Sequence, residues 1–365
     1  MRFVLFFIFF LFLSYGPVAL YSFLVRREKQ LTLIPKLIRL ILFILPTAFI
    51  SYYLCSITGL IKLEFMLVCL INIGMIFFFL PLNIFLISKA VSVYIRDKKG
   101  KNLRWVSVVG GALSVLLIIL LGWGILDRKN VEVREVEVAI KDLPEAFNGL
   151  KVVQITDVHI GCLDGASDYL NRIVEISNSY DPDIVMLTGD LINVAAWEAE
   201  GTEGALNGFK ANIGKYAVLG NHDYGKYYKW ECSQDSIDNL DAVKNIYRNF
   251  DFDLLLNENR VLTSGNDTLV VAGIENCGEE PFPCYGDMDA SLFGVEDKPV
   301  LLLSHDPSTW KTKILDYKNV LMTFSGHTHA AQMGIEIGDF KFSPAQYLYD
   351  EWDGLYEKDG SYLFV

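Results

Sequence analysis

Four long apolar stretches, residues 3–25, 40–61, 65–87 and 105–126, dominate the first third of the chain. Each is close to the roughly 20 apolar residues that a helix needs to cross a bilayer, so four transmembrane helices are predicted. Pro46 and Pro81 fall inside two of them, which helix packing in a bilayer tolerates. After residue 127 the pattern changes. Residues 131–140 alternate apolar and charged positions, the period of two that marks a half-exposed strand. Short, largely apolar runs follow at 150–155, 184–187, 216–219, 300–303 and 320–324, as expected of strands covered on both faces. Between them, 166–180 and 236–250 read as helices, the second repeating Ile237, Leu240, Val243 and Ile246 at helical spacing. Strands alternating with helices imply an α/β sandwich. The predicted organisation is a four-helix anchor over 1–126, a linker and first strand over 127–149, and an α/β domain over 150–365.

Composition sharpens the membrane reading. Of 365 residues, 52% are hydrophobic and 21% charged, and the mean hydropathy is +0.30, more apolar than an ordinary soluble enzyme. Residues 1–126 hold 13 Lys and Arg against 3 Asp and Glu, whereas 127–365 hold 19 against 41, a net charge of −22. Such a surface repels phosphate backbones, so no nucleic-acid partner is expected. In the anchor, basic residues gather in two loops, one with Arg26, Arg27, Lys29, Lys36 and Arg39, the other with Lys89, Arg96, Lys98, Lys99, Lys101 and Arg104. The positive-inside rule places both in the cytoplasm, and the short connection at 62–64 and everything after the fourth helix outside it. The first stretch lacks a small-residue cleavage site and carries its basic residues behind it, so it is read as retained rather than as a signal peptide. With no ionisable residue in mid-helix, the helices are an anchor and not an ion path. Cys55 and Cys69 fall in predicted helices, leaving Cys162, Cys232, Cys277 and Cys284 to face an oxidising compartment. There Cys277 and Cys284 either close a small disulfide or remain buried thiols.

The candidate chemistry sits where the apolar runs stop. They end in turn in Thr156-Asp157-Val158-His159, Thr188-Gly189-Asp190, Gly220-Asn221-His222-Asp223, Ser304-His305-Asp306 and Ser325-Gly326-His327-Thr328-His329. Ligands of open α/β sheets gather beyond the carboxyl ends of the strands. The chain has five histidines, and all five lie in these clusters. Imidazole, carboxylate and amide oxygen without thiolate favour a hard or borderline divalent cation over a structural zinc. Two histidines at i and i+2, as in His327-Thr328-His329, point to opposite sides of an extended backbone and can serve two neighbouring metals.

This ordered set of five blocks resembles the calcineurin-like metallophosphoesterases, from about residue 150 to the C-terminus. The resemblance implies a four-layer αββα sandwich and two divalent metal ions, Mn, Fe, Zn or Mg. Asp157, His159 and His329 would bind one metal, Asn221, His305 and His327 the other, and Asp190 would bridge them. His222 would then be the non-ligand histidine, a general acid for the leaving oxygen, with Asp223 orienting it and stabilising the imidazolium. Two metals in such a site activate water and clamp phosphoryl oxygens. The family usually continues past the last ligands with further strands and an Asn/Arg-x-Gly-x-Gly turn. This chain ends at Ser361-Tyr362-Leu363-Phe364-Val365, so a truncated domain with a sheet short of an edge partner is expected.

For substrate selection, the aromatic loop after Asp223 offers Tyr224 and Tyr227, with Lys226 and Lys229 beside them. The loop over 275–287, which holds Asn276 and two cysteines, is expected to border the site. Together these features predict an integral membrane phosphoesterase with its catalytic domain outside the cytoplasm. It would cleave a phosphodiester or pyrophosphate of a phosphorylated small molecule, a nucleotide-linked compound or a lipid-linked compound. The alternative is a catalytically silent membrane sensor that keeps the site to hold a metal or ligand.

Overall fold

The computed structural model describes residues 2–27, 33–57, 65–127, 130–163, 165–278, 283–332, 334–338 and 340–365. The chain forms two compact units, Met1–Val131 and Glu132–Val365.

In the first unit the four apolar stretches become α1 (Arg2–Arg27), α2 (Leu33–Ile57), α3 (Phe65–Lys99) and α4 (Arg104–Asp127). The third outruns its apolar stretch by twelve residues, because Ala90 and Val93 continue a buried face against Leu24 and Leu86. Its last turn carries Arg96, Lys98 and Lys99, whose charges oppose the partial negative charge of a helix C-terminus. Two buried polar side chains donate to main-chain carbonyls inside the unit. The Ser114 hydroxyl donates to the Pro81 carbonyl at 2.8 Å, and the Asn83 amide donates to the Leu13 and Phe79 carbonyls at 2.9 Å. Such pairing is what an apolar surround demands. Among the described residues, the segments Ile76–Lys99 and Arg104–Asp127 are long and apolar enough to cross a membrane. The expectation of four spans is thereby met in part: four helices form, and two segments pass on length and apolarity. The connection at 62–64 and Lys29 lie outside the described residues.

The second unit is built from two sheets. The first has the order β1 (Val152–Ile155), β2 (Ile184–Leu187), β3 (Gly214–Ala217), β4 (Asp253–Leu254), all parallel. The second takes β5 (Glu258–Ser264), β6 (Asp267–Gly273), β7 (Val300–Leu303), β8 (Val320–Phe324), β11 (Leu355–Lys358) and β12 (Ser361–Phe364) in the order β11-β12-β8-β7-β6-β5. A separate two-stranded ribbon joins β9 (Ile335–Ile337) to β10 (Phe340–Phe342). The helices are α5 (Ala166–Ser179), α6 (Glu203–Leu206), α7 (Ser233–Asn249), α8 (Met288–Ser291) and α9 (Ser308–Thr312).

Why the strands are apolar on both faces is visible in the packing. Val185, Leu187, Ala217 and Leu219 turn outward onto Leu170 and Val174 of α5 and Val243 and Tyr247 of α7. Their alternates Ile184, Met186, Tyr216 and Val218 meet Leu269, Val271, Leu301 and Leu303 of the other sheet. Val270, Ala272, Val300 and Leu302 then pack outward with Met288 and Trp310. Three cores thus separate helix, sheet, sheet and helix, as two buried faces per sheet require.

One expectation needs correction. No strand forms over 131–140. Its alternation instead reflects side chains anchored without a backbone ladder: Val138 and Ile140 join the inter-sheet core, Arg134 pairs with Glu336 and Asp353, and Glu135 accepts from the Tyr180 hydroxyl. The chain's last strand is paired on both sides. β12 lies between β11 and β8, and Leu363 is wholly buried. We expect Leu363→Ala to destabilise the second unit by about 2–5 kcal/mol, read as a lowered urea midpoint at unchanged slope. A midpoint equal to wild type would show that β12 is dispensable.

Candidate metal centre

All five polar clusters stand at one end of the sandwich, beyond the carboxyl ends of β1, β2, β3, β7 and β8. The turns that place them are tight. Asp157, His159, Asp190, His327 and His329 all adopt positive φ, between 46° and 71°, a region that costs a non-glycine residue about 1–3 kcal/mol. Two glycines make room. A Cβ on Gly326 would lie 2.0 Å from Thr156 Oγ1 and 2.1 Å from Asp157 Oδ2, and one on Gly220 would lie 2.1 Å from Asp190 Oδ1. The two sheets are also tied here by Gln154, whose amide donates to Thr188 Oγ1 and to the Ser325 carbonyl.

The side chains gather into two groups with one shared member. Asp157, His159, Asp190 and His329 form the first, and Asp190, His305 and His327 the second, the donor atoms in each lying within 4.8 Å of one another. Asp190 Oδ2 is 3.6 Å from His159 Nε2 and 3.2 Å from His305 Nε2. In the first group His329 Nε2 is 3.0 Å from Asp157 Oδ1 and 3.1 Å from His159 Nε2. Asn221 belongs with the second, its Oδ1 lying 3.2 Å from His305 Nε2. The residues expected as ligands from the sequence are thus brought together around Asp190. The donors, imidazole nitrogens with carboxylate and amide oxygens and no thiolate, fit a hard or borderline divalent cation.

Charge is balanced tightly in this dry setting. Burial works to raise the Asp190 carboxyl, but His305 beside it prevails and holds it at about 2. Burial likewise disfavours the His305 cation, yet Asp190 and Asp157 push its pKa up to about 10. His159 goes the other way, lowered to about 4 chiefly by burial. A metal entering the second group would therefore displace a proton from His305.

Several supporting groups were not foreseen. Asn193 Oδ1 is 2.9 Å from His159 Nδ1, and the Asn193 carbonyl is 2.6 Å from His222 Nδ1. The Thr188 carbonyl is 2.7 Å from His305 Nδ1. A carbonyl oxygen can only accept, so each contact fixes Nδ1 as the protonated nitrogen and turns Nε2 to the chemistry. At His327, Tyr349 Oη lies 3.0 Å and Asp306 Oδ2 3.4 Å from Nε2. The one sequence signal for Asn193 is its position three residues after Asp190 on the same loop. Tyr349 carries none, being twenty residues past the last ligand.

The structure gives the Asp223 carboxylate partners other than the His222 ring. Its buried carboxylate accepts from the amides of Asp190, Leu191, Ile192 and Gly220 and from the Tyr247 hydroxyl. It thus pins the Asp190 loop to the Gly220 loop, and the Asn193 carbonyl, not Asp223, meets His222 Nδ1. Two expected substrate contacts also lie elsewhere. Tyr224 is buried in the core under the first sheet's helices, its hydroxyl donating to Glu275 at 3.1 Å. Asn276 is buried and donates to the Pro283 carbonyl, holding the loop that the Cys277–Cys284 disulfide closes. Tyr227 is where the sequence put it. Half-exposed, it stacks on His222 at a centroid distance of 4.3 Å and accepts from the Asn221 amide at 2.8 Å.

If Asp223 is a clamp, Asp223→Asn should be worse for the fold than for the chemistry. An asparagine presents an NH₂ to donors that need acceptors, so we expect a loss of about 1–3 kcal/mol together with reduced metal content. Wild-type stability with impaired turnover would return Asp223 to the role beside His222.

With this geometry in view, the likeness to known proteins is specific. The model of the calcineurin-like phosphoesterases matches residues 150–331, which span all five clusters. A zebrafish (Danio rerio) transmembrane protein with metallophosphoesterase domain is 29% identical over 224 residues, covering 60% of this chain and 49% of that protein. A bovine (Bos taurus) protein of the same description is 28% identical, covering 62% and 49%. The UDP-2,3-diacylglucosamine pyrophosphatase LpxG of Chlamydia trachomatis is 26% identical over 238 residues, covering 53% and 68%. The chain spans about half the length of the first two relatives. Through residues 150–331, and the Asp, Asn and His clusters that they carry, this chain belongs to the calcineurin-like phosphoesterase family.

Proposed function

We propose that the chain is a membrane-anchored phosphoester hydrolase that works with two divalent cations. The observation that carries this reading is the single carboxylate of Asp190 shared between two groups of ligand-type side chains. Asp157, His159 and His329 would hold one cation and Asn221, His305 and His327 the other, with Asp190 shared between them. Two cations so held supply Lewis acidity to a water and to the phosphoryl oxygens. The remaining chemistry belongs to the protein. His222 is outside both groups, and its backbone amide donates to Asp190 Oδ1 at 2.8 Å, which fixes its place beside the centre. With Nδ1 bonded to the Asn193 carbonyl, any proton that the ring gives a leaving oxygen comes from Nε2. Tyr227, stacked on that ring, lines the approach of the substrate.

The substrate is a phosphodiester or pyrophosphate, and a lipid-linked or nucleotide-linked one suits the anchor. Likeness to a protein named as a UDP-2,3-diacylglucosamine pyrophosphatase supports this choice, as does the acidity of the domain, which disfavours long polyanions. The names of two relatives as transmembrane proteins, and the two segments apolar enough to span, support an integral membrane protein with four helices. The Cys277–Cys284 disulfide supports a catalytic domain outside the cytoplasm.

We expect His222→Ala to lower kcat on an aryl phosphodiester by roughly 10²–10⁴-fold while the metal content stays at the wild-type level. Unaltered turnover would remove His222 from the chemistry. A wild-type protein that holds its metals yet hydrolyses no diester or pyrophosphate would favour the silent sensor. Orientation is tested separately through Cys232, an exposed free thiol. An impermeant maleimide should label it on intact cells, and protection until lysis would reverse the topology.

A further inference from the structure

Between the last ligand and the chain's return to the centre lies a ribbon with no part in the chemistry above. β9 and β10 pair antiparallel, with Ile335 opposite Phe342, Glu336 opposite Lys341 and Ile337 opposite Phe340. The period of two sorts these side chains by face. Glu336 and Lys341 share one face and pair with each other, and they are held to the domain through Arg134 and Asp353. Arg134 lies 3.0 Å from Glu336 and 2.6 Å from Asp353, and Lys341 lies 2.9 Å from Asp353. Ile335, Ile337, Phe340 and Phe342 share the other face and are 50%, 72%, 61% and 36% exposed. The ribbon's amphipathicity is thus inverted, its charges turned to the protein and its large apolar groups turned away. A contiguous patch of this kind marks an interaction surface.

We propose that this face lies flat on the surface of a lipid bilayer and holds the metal centre at the level of the headgroups. The proposal rests on the reading above that α4 sits in a membrane. Seven residue steps lead from Asp127, where α4 ends, to Arg134, which is ion-paired to the ribbon. Fully extended, they reach at most roughly 25 Å. A bilayer that contains α4 is therefore within a short tether of the apolar face, and no other apolar partner is guaranteed to be. The sequence between the two strands, Gly338-Asp339, carries a carboxylate, which favours a ribbon lying along the interface over one entering tip first. Phe340 and Phe342 are aromatics of the kind that bury at such a boundary.

The consequence for the centre follows from how the ribbon is clamped. The chain leaves the site at His329, the Ser343 hydroxyl donates back to the Ala330 carbonyl, and Tyr349 Oη returns to His327 Nε2 at 3.0 Å. Docking the ribbon therefore fixes the height of the ligands that flank it. A phosphate standing at the interface on a lipid then reaches the centre without leaving the bilayer.

The test uses the full chain in phosphatidylcholine nanodiscs doped with a phospholipid that carries a diazirine near the top of its acyl chain. After irradiation, labelled peptides are mapped by mass spectrometry. We expect label on α4 and on residues 335–342, with the ribbon label falling to background in Ile337→Asp/Phe340→Asp while the α4 label persists. Because both positions are exposed and outside the site, that variant should keep wild-type turnover on a soluble aryl phosphodiester. Label on α4 with none on the ribbon would overturn the proposal and leave the membrane reading standing. No label on α4 would sink the membrane reading and this proposal with it. A ribbon shielded from lipid by cross-links to a second copy of the chain would overturn it in favour of self-association.

Discussion

The Asp190 carboxylate lies wholly inside the protein, where an ionised group costs several kcal/mol unless charge and donors answer it. The His305 ring answers it at 3.2 Å, and the His222 backbone amide answers it from another side at 2.8 Å. Much of the surrounding structure follows from keeping it there. Its backbone sits at positive φ, its amide is held by Asp223, and Gly220 carries no Cβ because one would strike its Oδ1. Asp223 in turn is satisfied by four amides and the Tyr247 hydroxyl, so a helix of the outer layer reaches the centre through one oxygen. Removing any of these groups leaves a buried charge or donor unanswered.

The sequence displayed this centre with unusual clarity because the residues that make it are chemically rare. Five histidines, each closing an apolar run, cannot be read from composition as core or surface, and the runs themselves are apolar on both faces because three cores separate four layers. What stayed hidden was work done by the main chain and by common polar residues. The carbonyls of Asn193 and Thr188 set two imidazole orientations, and no side-chain pattern announces a carbonyl. Asp223 follows His222 in sequence, which suggested a couple, but successive residues at a turn point apart, and the carboxylate turned to the backbone. Tyr224 and Asn276 were misplaced for a related reason. Loops near a site contain residues that hold the loop as well as residues that face the ligand, and only burial separates them.

The alternation over 131–140 is the instructive error in the fold. A period of two in the sequence carries no information about a hydrogen-bonded neighbour, and here it does not sort held from solvated side chains either, since Val133 and Val136 are exposed. Here Arg134 reaches Glu336 and Asp353 while Val138 and Ile140 enter the core, so the pattern arises without a ladder. The ribbon of β9 and β10 shows a paired alternation whose apolar side faces outward, the sorting on which the membrane-docking proposal rests.

The most direct measurement on the shared carboxylate is electron paramagnetic resonance of the protein titrated with Mn(II), followed in parallel by hydrolysis of an aryl phosphodiester. We expect two equivalents bound, an exchange-coupled spectrum, turnover that rises with the second equivalent, and loss of the coupling in Asp190→Asn. A single uncoupled six-line signal with full turnover at one equivalent would contradict a bridging Asp190, and with it the two-cation reading of the centre.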